Sequence, residues 1–359
     1  MIRSTPQGLL CEAGGFHIDP WQPVDRAVIT HAHSDHASPG SKSYLCAAPG
    51  EQLLRRRLPD AHVETLPYGE SIAIGDTRVS LHPAGHILGS AQVRVEHRGE
   101  VWVVSGDYKR QPDPTCAPFE TVRCHTFITE ATFALPIYTW DPPSTIVDDI
   151  ITWWLANRAQ DRPSIIFCYV LGKAQRILAE LRDRADAPIH LHGAMAALTD
   201  AYREAGIAMA PTERITESMR GKVLARSLVL APLSARGTVW MRRLPNASAA
   251  FASGLMRVRG VRRQRAFDRG FVLSDHADWP SLLSTIADTG ASRVLVTHGW
   301  SEALARYLAE TRGLETGIIR TAFEGEAGEL TEAGDPSSTP DGQTSPIDHR
   351  SSDIDPSQS

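Results

Sequence analysis

The stretch "THAHSDHA", residues 30–37, places three histidines and one aspartate within six positions, directly after the apolar run "RAVIT". In an extended segment His31 and His33 project to the same side, where two neutral imidazoles could bind one cation. Asp35 and His36 follow on a turning chain and could face a second cation nearby. Imidazole and carboxylate groups suit Zn²⁺ or Mn²⁺. The stretch therefore predicts a metal site rather than an exposed polar loop.

Three more candidate ligands follow predicted strands further along the chain. His86 lies in "HPAGHILGS", Asp107 in "VVSGDY" and His298 in "VLVTHGW". Because strand ends can meet at one edge of a sheet, these side chains could converge on the histidine stretch. Asp107 has two carboxylate oxygens and could bridge two cations about 3.5–4 Å apart. Each residue alone would be an ordinary turn residue, but together with the histidine stretch they favour two overlapping ligand sets.

Glu130 and His276 form a further candidate pair. Glu130 ends the apolar strand "TFITE", and His276 lies in "VLSDHAD". In a histidine–carboxylate pair the acid orients the imidazole and raises its pKa, an arrangement typical of a general acid. The alternative is that His276 is a polar loop residue beside Asp275 and Asp278. The pairing hypothesis predicts that Glu130 and His276 are in contact although they are distant in sequence.

The order of predicted elements divides the chain. Short strands separated by Gly and Pro turns fill the first third, whereas helix and strand patterns alternate from "PPSTIVDDIITWWLANRAQDRP" onward. We predict an α/β body, residues 1–143 and 271–330, interrupted by a second α/β module, residues 144–270, which we call the insert. Residues 331–359 are acidic and rich in Ser and Pro, and we expect this tail to be disordered.

Composition limits the classes of function. Of the 359 residues only 5 are cysteines, and they form no CxxC pair, which favours a reducing, cytoplasmic location over a disulfide-bonded secreted fold. No apolar stretch approaches the roughly 20 residues that span a bilayer. We therefore expect no membrane association.

The formal net charge of −5 hides a basic segment. Between Arg236 and Arg269 there are nine arginines and one acid, a pattern that suits a phosphate-rich partner, although a solvated arginine face is the alternative. The loops "LGKAQ" and "LSARGT" could bind phosphate through main-chain N–H groups, or could be plain strand–helix connections. The residues expected to contact phosphates are Lys173, Ser234, Arg236, Arg257, Arg259, Arg262, Arg263 and Arg265.

Taken in order, the motifs "HIDP", "HAHSDH", "PAGHILGS", "SGDY", "TEATF", "SDHAD" and "VTHG" resemble the β-CASP nuclease branch of the metallo-β-lactamase fold, over residues 7–325. The segments "FCYVLGKAQRIL", "APLSARGTVWMRR" and "FASGLMRVRG" look most like its bacterial ligase-associated DNA exonuclease subfamily, which is also labelled an mRNA 3′-end processing factor. The resemblance implies a metallo-β-lactamase αββα sandwich with an inserted α/β β-CASP domain. It also implies partnership with an ATP-dependent DNA ligase and a helicase.

The same resemblance implies a role for each matched residue. Asp19 would support the histidine stretch from outside the ligand sets. One divalent metal, zinc or manganese, would be held by His31, His33, His86 and Asp107. A second would be held by Asp35, His36, Asp107 and His298. Glu130 and His276 would protonate the leaving group. In this branch a histidine at the position of His298 tends to accompany RNA enzymes, which keeps RNA open as a substrate.

The function expected from these residues is phosphodiester hydrolysis, with a DNA exonuclease of DNA repair as the preferred form. Two cations would lower the pKa of a water, so that hydroxide attacks phosphorus in line while His276, held by Glu130, protonates the leaving oxygen. The alternative is an RNA endonuclease or exonuclease of 3′-end processing. A small-molecule metallohydrolase would need neither the insert nor the Glu130–His276 pair. A non-catalytic partner subunit would typically lack ligands that this sequence retains.

Overall fold

The structure, a computed structural model, describes residues 1–260 and 266–321. Its first sheet has six strands that lie side by side in sequence order. The strands are β1 Ile2–Thr5, β2 Gly8–Cys11, β3 Phe16–Ile18, β4 Arg26–Val28, β5 Ser43–Ala47 and β6 Val63–Leu66. Pairing is antiparallel among the first three strands and parallel from β3 to β6. The histidine stretch therefore follows the carboxyl end of a parallel strand, β4.

The next five strands form most of a second sheet. They are β7 Ser71–Ile74, β8 Thr77–Pro83, β9 Ala91–His97, β10 Glu100–Val104 and β11 Thr126–Glu130. The strands β7 to β10 form an antiparallel meander, and β11 runs parallel to β10. Val79, Leu81, Val93 and Val95 alternate along the meander with more polar or smaller residues and are fully buried. This alternation is expected for a sheet that packs one face against a core.

Residues 164–271 form a third sheet whose six strands are all parallel. The strands are β12 Ser164–Phe167, β13 Ile189–Leu191, β14 Thr212–Arg214, β15 Leu228–Ala231, β16 Ser248–Ala252 and β17 Arg269–Phe271, in the spatial order β14-β13-β15-β12-β16-β17. The associated helices are α1 Pro143–Arg158, α2 Lys173–Glu180 and α3 Gly193–Glu204. All residues of β12 and β15 are buried, because both faces of this sheet are covered.

Two late strands complete the second sheet. β18 Arg293–Thr297 pairs in parallel with β11, and β19 Glu315–Ile318 pairs in parallel with β18. The chain thus leaves the second sheet after Glu130 and returns to it at Arg293. Helices α4 Trp279–Thr289 and α5 Ser301–Arg312 belong to this return segment. Their Leu282 and Leu304 pack in one buried cluster with Phe127 and Val294 of the sheet.

The first and second sheets share one apolar core. Ile18 and Val28 of the first sheet lie in the same buried cluster as Val93 and Val104 of the second. The loops that carry the candidate ligands leave the carboxyl ends of β4, β8, β10 and β18, and Glu130 is the last residue of β11. The predicted mixed α/β architecture is confirmed. None of the helices in residues 1–260 and 266–321 is both long and apolar enough to cross a membrane.

Two helices differ from the sequence expectations. The pattern of residues 172–186 predicts one helix, but α2 ends at Glu180 and tight turns follow. Residues 182–184 and 186–188 are exposed, so no apolar face stabilises further helical turns. A short helix, Glu51–Arg57, was not predicted. Its acidic first residue and three arginines in the last turn complement the helix dipole, and this was the available signal.

Candidate metal centre

The four residues predicted to hold one metal converge. His31 Nε2 and His33 Nδ1 are 3.1 Å apart, and His33 Nδ1 is 3.2 Å from His86 Nε2. Asp107 Oδ2 lies 3.5 Å from His31 Nε2 and 3.8 Å from His86 Nε2. One ligand atom from each residue lies within 4.8 Å of the other three. Three imidazole nitrogens and one carboxylate oxygen so placed could hold a divalent cation.

Two main-chain carbonyls fix the orientation of the imidazoles. His33 Nε2 lies 3.1 Å from the carbonyl oxygen of Leu171, and His86 Nδ1 lies 2.7 Å from that of Asp275. A carbonyl oxygen only accepts hydrogen bonds, so each of these ring nitrogens carries the proton. The opposite nitrogen of each ring then has a free lone pair, and it is the one that faces the cluster. The residues present therefore fit a bound metal.

A second group of candidate ligands shares Asp107. His36 Nε2 lies 3.6 Å from Asp35 Oδ2 and 3.5 Å from Asp107 Oδ2. The ring centroids of His36 and His298 are 5.6 Å apart. Asp35, His36, Glu130 and His298 line one small cavity. The same Asp107 oxygen thus faces both ligand groups, as a bridging carboxylate would.

Asp19 contacts Thr30 and the ring nitrogen of His36 that does not face the other ligands of this second group. Its Oδ1 accepts a hydrogen bond from the Thr30 N–H at 2.8 Å, and its Oδ2 accepts one from the Thr30 hydroxyl. Oδ2 also lies 2.8 Å from His36 Nδ1. Because the carboxylate accepts the Nδ1 proton, Nε2 is the nitrogen that His36 presents to Asp35 and Asp107.

Two glycines allow the ligand loops to approach closely. Gly106 has φ +57°, and a Cβ there would lie 2.6 Å from the Thr30 Cβ. Gly299 has φ +62°, and a Cβ there would lie 2.4 Å from the Ala131 carbonyl oxygen. Any other residue would clash and would be strained at these φ values. Gly106 therefore brings its neighbour Asp107 to the histidine stretch, and Gly299 brings its neighbour His298 to the end of β11.

Glu130 and His276 lie in direct contact. Glu130 Oε2 is 2.8 Å from His276 Nδ1, and Glu130 Oε1 accepts a hydrogen bond from the Tyr108 N–H at 2.8 Å. Both side chains are buried, and ligand atoms of Asp107, Glu130 and His276 all lie within 4.8 Å of one another. Glu130 is thus fixed at both oxygens, and it directs the imidazole toward the carboxylate that both ligand groups share.

The surroundings of the buried histidines shift their pKa values in opposite directions. Burial lowers the pKa of His31, His33 and His86, so these rings favour the neutral form that binds metals. Burial also acts to lower the pKa of His36, but neighbouring carboxylates, chiefly Asp107, raise it well above the ordinary value. Burial would raise the pKa of Asp107, yet the facing imidazoles, His36 first, bring it well below the ordinary value. Asp107 is therefore ionised.

The residues predicted to bind phosphate have varied environments. Ser234 and Arg259 are exposed. Arg236 is half-buried with its guanidinium 4.1 Å from the ring centroid of Phe267, and Arg257 is half-buried and ion-paired. Three of the predicted residues, Arg262, Arg263 and Arg265, lie outside the described residues. The expected disorder of residues 331–359 likewise falls outside them.

Lys173 belongs to a buried ionic cluster that joins the insert to the site. Its ammonium lies 3.7 Å from Asp275 Oδ2. The cluster also contains Arg176, Asp113 and Lys109, none of which was predicted as a functional residue. The available signals were the position of Arg176 within the same "GKAQRIL" segment and the spacing of Lys109 and Asp113 four residues apart, directly after Asp107.

The chain is similar to several curated proteins. No family model matches the chain. The chain is 34% identical over 317 residues to a "Probable DNA ligase" of Opitutus terrae, over 87% of this chain and 30% of the relative. It is 24% identical over 209 residues to an "RNase J-like protein" of Methanocaldococcus jannaschii, over 50% of each. The chain thus spans between 30% and 50% of the length of these relatives.

A solved structure described as a protein of unknown function from Enterococcus faecalis V583 aligns with a TM-score of 0.57 and 14% identity, over 82% of this chain and 79% of that chain. This likeness concerns the fold alone. The ordered motifs, the converging histidines and aspartates, and the curated relatives agree in one assignment. In these motifs and in this cluster of ligand residues the chain is similar to nucleases of the metallo-β-lactamase-fold β-CASP family, to which several of its curated relatives belong.

Proposed function

We propose that this chain is a metal-dependent nuclease, most consistent with a DNA exonuclease that acts in DNA repair. The observation that carries the proposal is the position of the Glu130–His276 pair beside Asp107, the carboxylate that both ligand groups share. The sugar oxygen that leaves a phosphodiester is a poor leaving group and needs a proton. A buried histidine fixed by a carboxylate at this place can supply that proton.

Two divalent cations, zinc or manganese, would be held at this centre. His31, His33 and His86 would hold one, Asp35, His36 and His298 the other, and Asp107 would contact both. When bound, the cations would supply Lewis-acid activation of a water and of the phosphate oxygens. Asp19 would keep His36 in the tautomer that binds, and the carbonyls of Leu171 and Asp275 would do the same for His33 and His86.

The chain's own acid–base step runs through His276. In its protonated form His276 donates Nδ1–H to Glu130 and presents Nε2–H to the substrate. As a water-derived oxygen bonds to phosphorus, the bond from phosphorus to the sugar oxygen breaks, and the Nε2 proton passes to that oxygen. Glu130 stays ionised and stabilises the imidazolium before transfer.

The fold and its division are part of the same proposal. Residues 1–143 and 271–330 would form the metallo-β-lactamase αββα sandwich, and residues 144–270 the inserted β-CASP domain. The insert would cover the site and contribute Ser234, Arg236 and the arginines from 257 to 265 to phosphate binding. Lys173 differs from the expectation, because its side chain is buried and its ammonium faces the Asp275 carboxylate. A cytoplasmic location also stays a prediction, which rests on the scattered cysteines.

The comparisons leave two substrates to weigh. The relative named a DNA ligase aligns with 87% of this chain, which supports DNA as the substrate and partnership with a DNA ligase. The ATP dependence of that ligase and the partnership with a helicase rest on the family resemblance alone. The relative named RNase J-like aligns with 50% of this chain, which favours RNA as the second candidate. The proposal takes DNA first because the ligase-named alignment is longer and closer.

The deciding experiment uses metal-loaded protein with single-stranded DNA and RNA of one sequence, labelled at either end and prepared with and without a 5′-phosphate. Stepwise shortening of DNA is the expected result. Internal cuts in RNA would favour the second candidate, an RNA nuclease of 3′-end processing. Cleavage of neither substrate would refute the nuclease proposal.

Binding of nucleic acid should depend steeply on salt, because arginines that contact phosphates release counterions. For single strands the slope of log K against log salt is about −0.7 per phosphate contact. Arg259→Ala should reduce the slope by about that amount, measured by fluorescence anisotropy with a labelled oligonucleotide. Arg226→Ala is the control, since Arg226 is an exposed arginine of the insert that is ion-paired with Asp161. Equal slopes for the Arg259 variant and wild type would remove Arg259 from the interface.

Metal binding near neutral pH should release a proton from His36, in the second group of candidate ligands, and none from His31, His33 or His86. The raised pKa of His36 means that the metal-free protein holds a proton there at pH 7, whereas the lowered pKa values leave His31, His33 and His86 neutral. A cation must displace the His36 proton. Titration calorimetry with Mn²⁺ in buffers of different ionisation enthalpy should show about one proton released per two cations. Heats that do not depend on the buffer would contradict this assignment.

A further inference from the structure

We infer that Arg176, in the insert, is a positioning residue for the proton donor His276, an inference that rests on the proposed function. Its guanidinium Nη1 donates a hydrogen bond to the Ser274 carbonyl at 2.7 Å and lies 3.8 Å from Asp275 Oδ1. Ser274 and Asp275 are the two residues immediately before His276. Arg176 therefore holds the main chain immediately before the proton donor His276.

Burial restricts the movement of Arg176 and of the two residues that it contacts. The side chain of Arg176 is fully buried, and Ser274 and Asp275 are both 3% exposed. A planar guanidinium offers several donors in one fixed fork, so it can hold a carbonyl and a carboxylate together. Side chains locked in this way by packing and hydrogen bonds keep a catalytic group within a narrow range of positions.

A second nitrogen of the guanidinium, Nε, contacts the loop that carries Asp107. Arg176 Nε lies 3.5 Å from Asp113 Oδ2, and Lys109 Nζ lies 2.5 Å from the same oxygen. Burial acts to raise the pKa of Asp113, but the cations, Lys109 first, keep it below the ordinary value, so the carboxylate stays charged. Arg176 thus connects the loop of residues 107–113 with the loop of residues 274–276.

The segment around Arg176 contacts the metal ligands at two more points. The Leu171 carbonyl orients His33. A Cβ at Gly172 would lie 2.4 Å from Ile87, the neighbour of His86, so the main chain packs directly on that ligand loop. The insert therefore builds part of the catalytic site, in addition to any role in covering the substrate. Arg176 is the member of this segment that acts on the proton donor.

The test compares two substrates that differ in their need for a proton. When single-stranded DNA is cleaved, the leaving group is a sugar oxygen that must be protonated. The leaving group of bis(4-nitrophenyl) phosphate departs without protonation. Arg176→Met should lower kcat on DNA by about 10- to 100-fold, because a displaced catalytic group costs about that much. The same variant should lower kcat on the nitrophenyl ester by less than about threefold, since Lewis-acid activation is retained.

Arg184→Met is the matched control, because Arg184 is an exposed arginine of the insert that is ion-paired with Asp148. It should leave both rates unchanged. Arg176→Lys keeps the positive charge but lacks the planar guanidinium. It should also lower kcat on DNA more than on the nitrophenyl ester, by a smaller factor than Arg176→Met. If Arg176→Met does not fold, the lysine variant decides. An equal loss on both substrates, or a loss of bound metal, would overturn the inference in favour of a structural role.

A readout without turnover keeps this inference separate from the proposed function. Histidine ring ¹H–¹⁵N spectra should show the His276 resonances shifted in Arg176→Lys and unchanged in Arg184→Met. If wild-type protein cleaves neither substrate, the nuclease proposal fails, and the spectra still decide whether Arg176 positions His276. Unshifted His276 resonances in the Arg176 variant would refute the positioning role.

Discussion

Replacing Asp107 with alanine should abolish both metal binding and nuclease activity. One oxygen of this side chain lies 3.5 Å from His31 Nε2 and 3.5 Å from His36 Nε2, so a single substitution removes a ligand from each group. Loss of groups that merely orient ligands weakens metal affinity about 10- to 100-fold. Loss of the shared ligand should weaken it by more than about 100-fold and lower kcat by at least about 10³-fold.

Metal content by atomic emission and calorimetric titration with Mn²⁺ measure the first effect, and cleavage of end-labelled DNA measures the second. Asp25→Ala is the control, since Asp25 is an exposed carboxylate that is paired with exposed Lys42. It should bind metal and cleave DNA as wild type does. An Asp107→Ala protein that still binds two cations tightly would show that Asp107 is not shared between them.

The side-chain chemistry of the site could be predicted from the sequence, but its main-chain chemistry could not. The ligand types and their order could be read from the sequence because "HAHSDH" and the strand-end residues are side-chain features. The groups that fix the imidazoles could not be predicted so easily. The carbonyls of Leu171 and Asp275 orient His33 and His86, and any residue type could supply a carbonyl. Their positions follow only from how the insert packs on the ligand loops.

Contacts between residues distant in sequence explain the remaining differences. The sequence predicts His31 and His33 directly after a strand that includes Thr30, whereas β4 ends at Val28. Asp19 accepts hydrogen bonds from both the N–H and the hydroxyl of Thr30, and these bonds take Thr30 out of the ladder. The contribution of Arg176 was missed for a related reason. A buried arginine within an amphipathic helix pattern looks like an exposed one until the carboxylates that face it are known.

Replacing His276 with alanine should slow turnover on DNA by about 10²–10⁴-fold, the usual contribution of a general acid. Metal content should not change, because His276 contacts Glu130 through Nδ1 and lies outside the four-ligand group of His31, His33, His86 and Asp107. Hydrolysis of bis(4-nitrophenyl) phosphate should be nearly spared, since its leaving group needs no proton. Single-turnover rates with both substrates measure the effect on the chemical step alone.

Glu130→Gln provides the companion measurement. The amide can no longer stabilise a charged imidazole, so this variant should show the same preference for the nitrophenyl ester. Because Glu130 acts through His276, the double variant should be no slower than His276→Ala alone, a non-additivity expected for residues that act as one unit. Full multiplication of the two losses would mean that Glu130 acts on the metal centre directly, through Asp107 within 4.8 Å of it. A metal-loaded His276→Ala protein with full activity on DNA would exclude the acid role altogether.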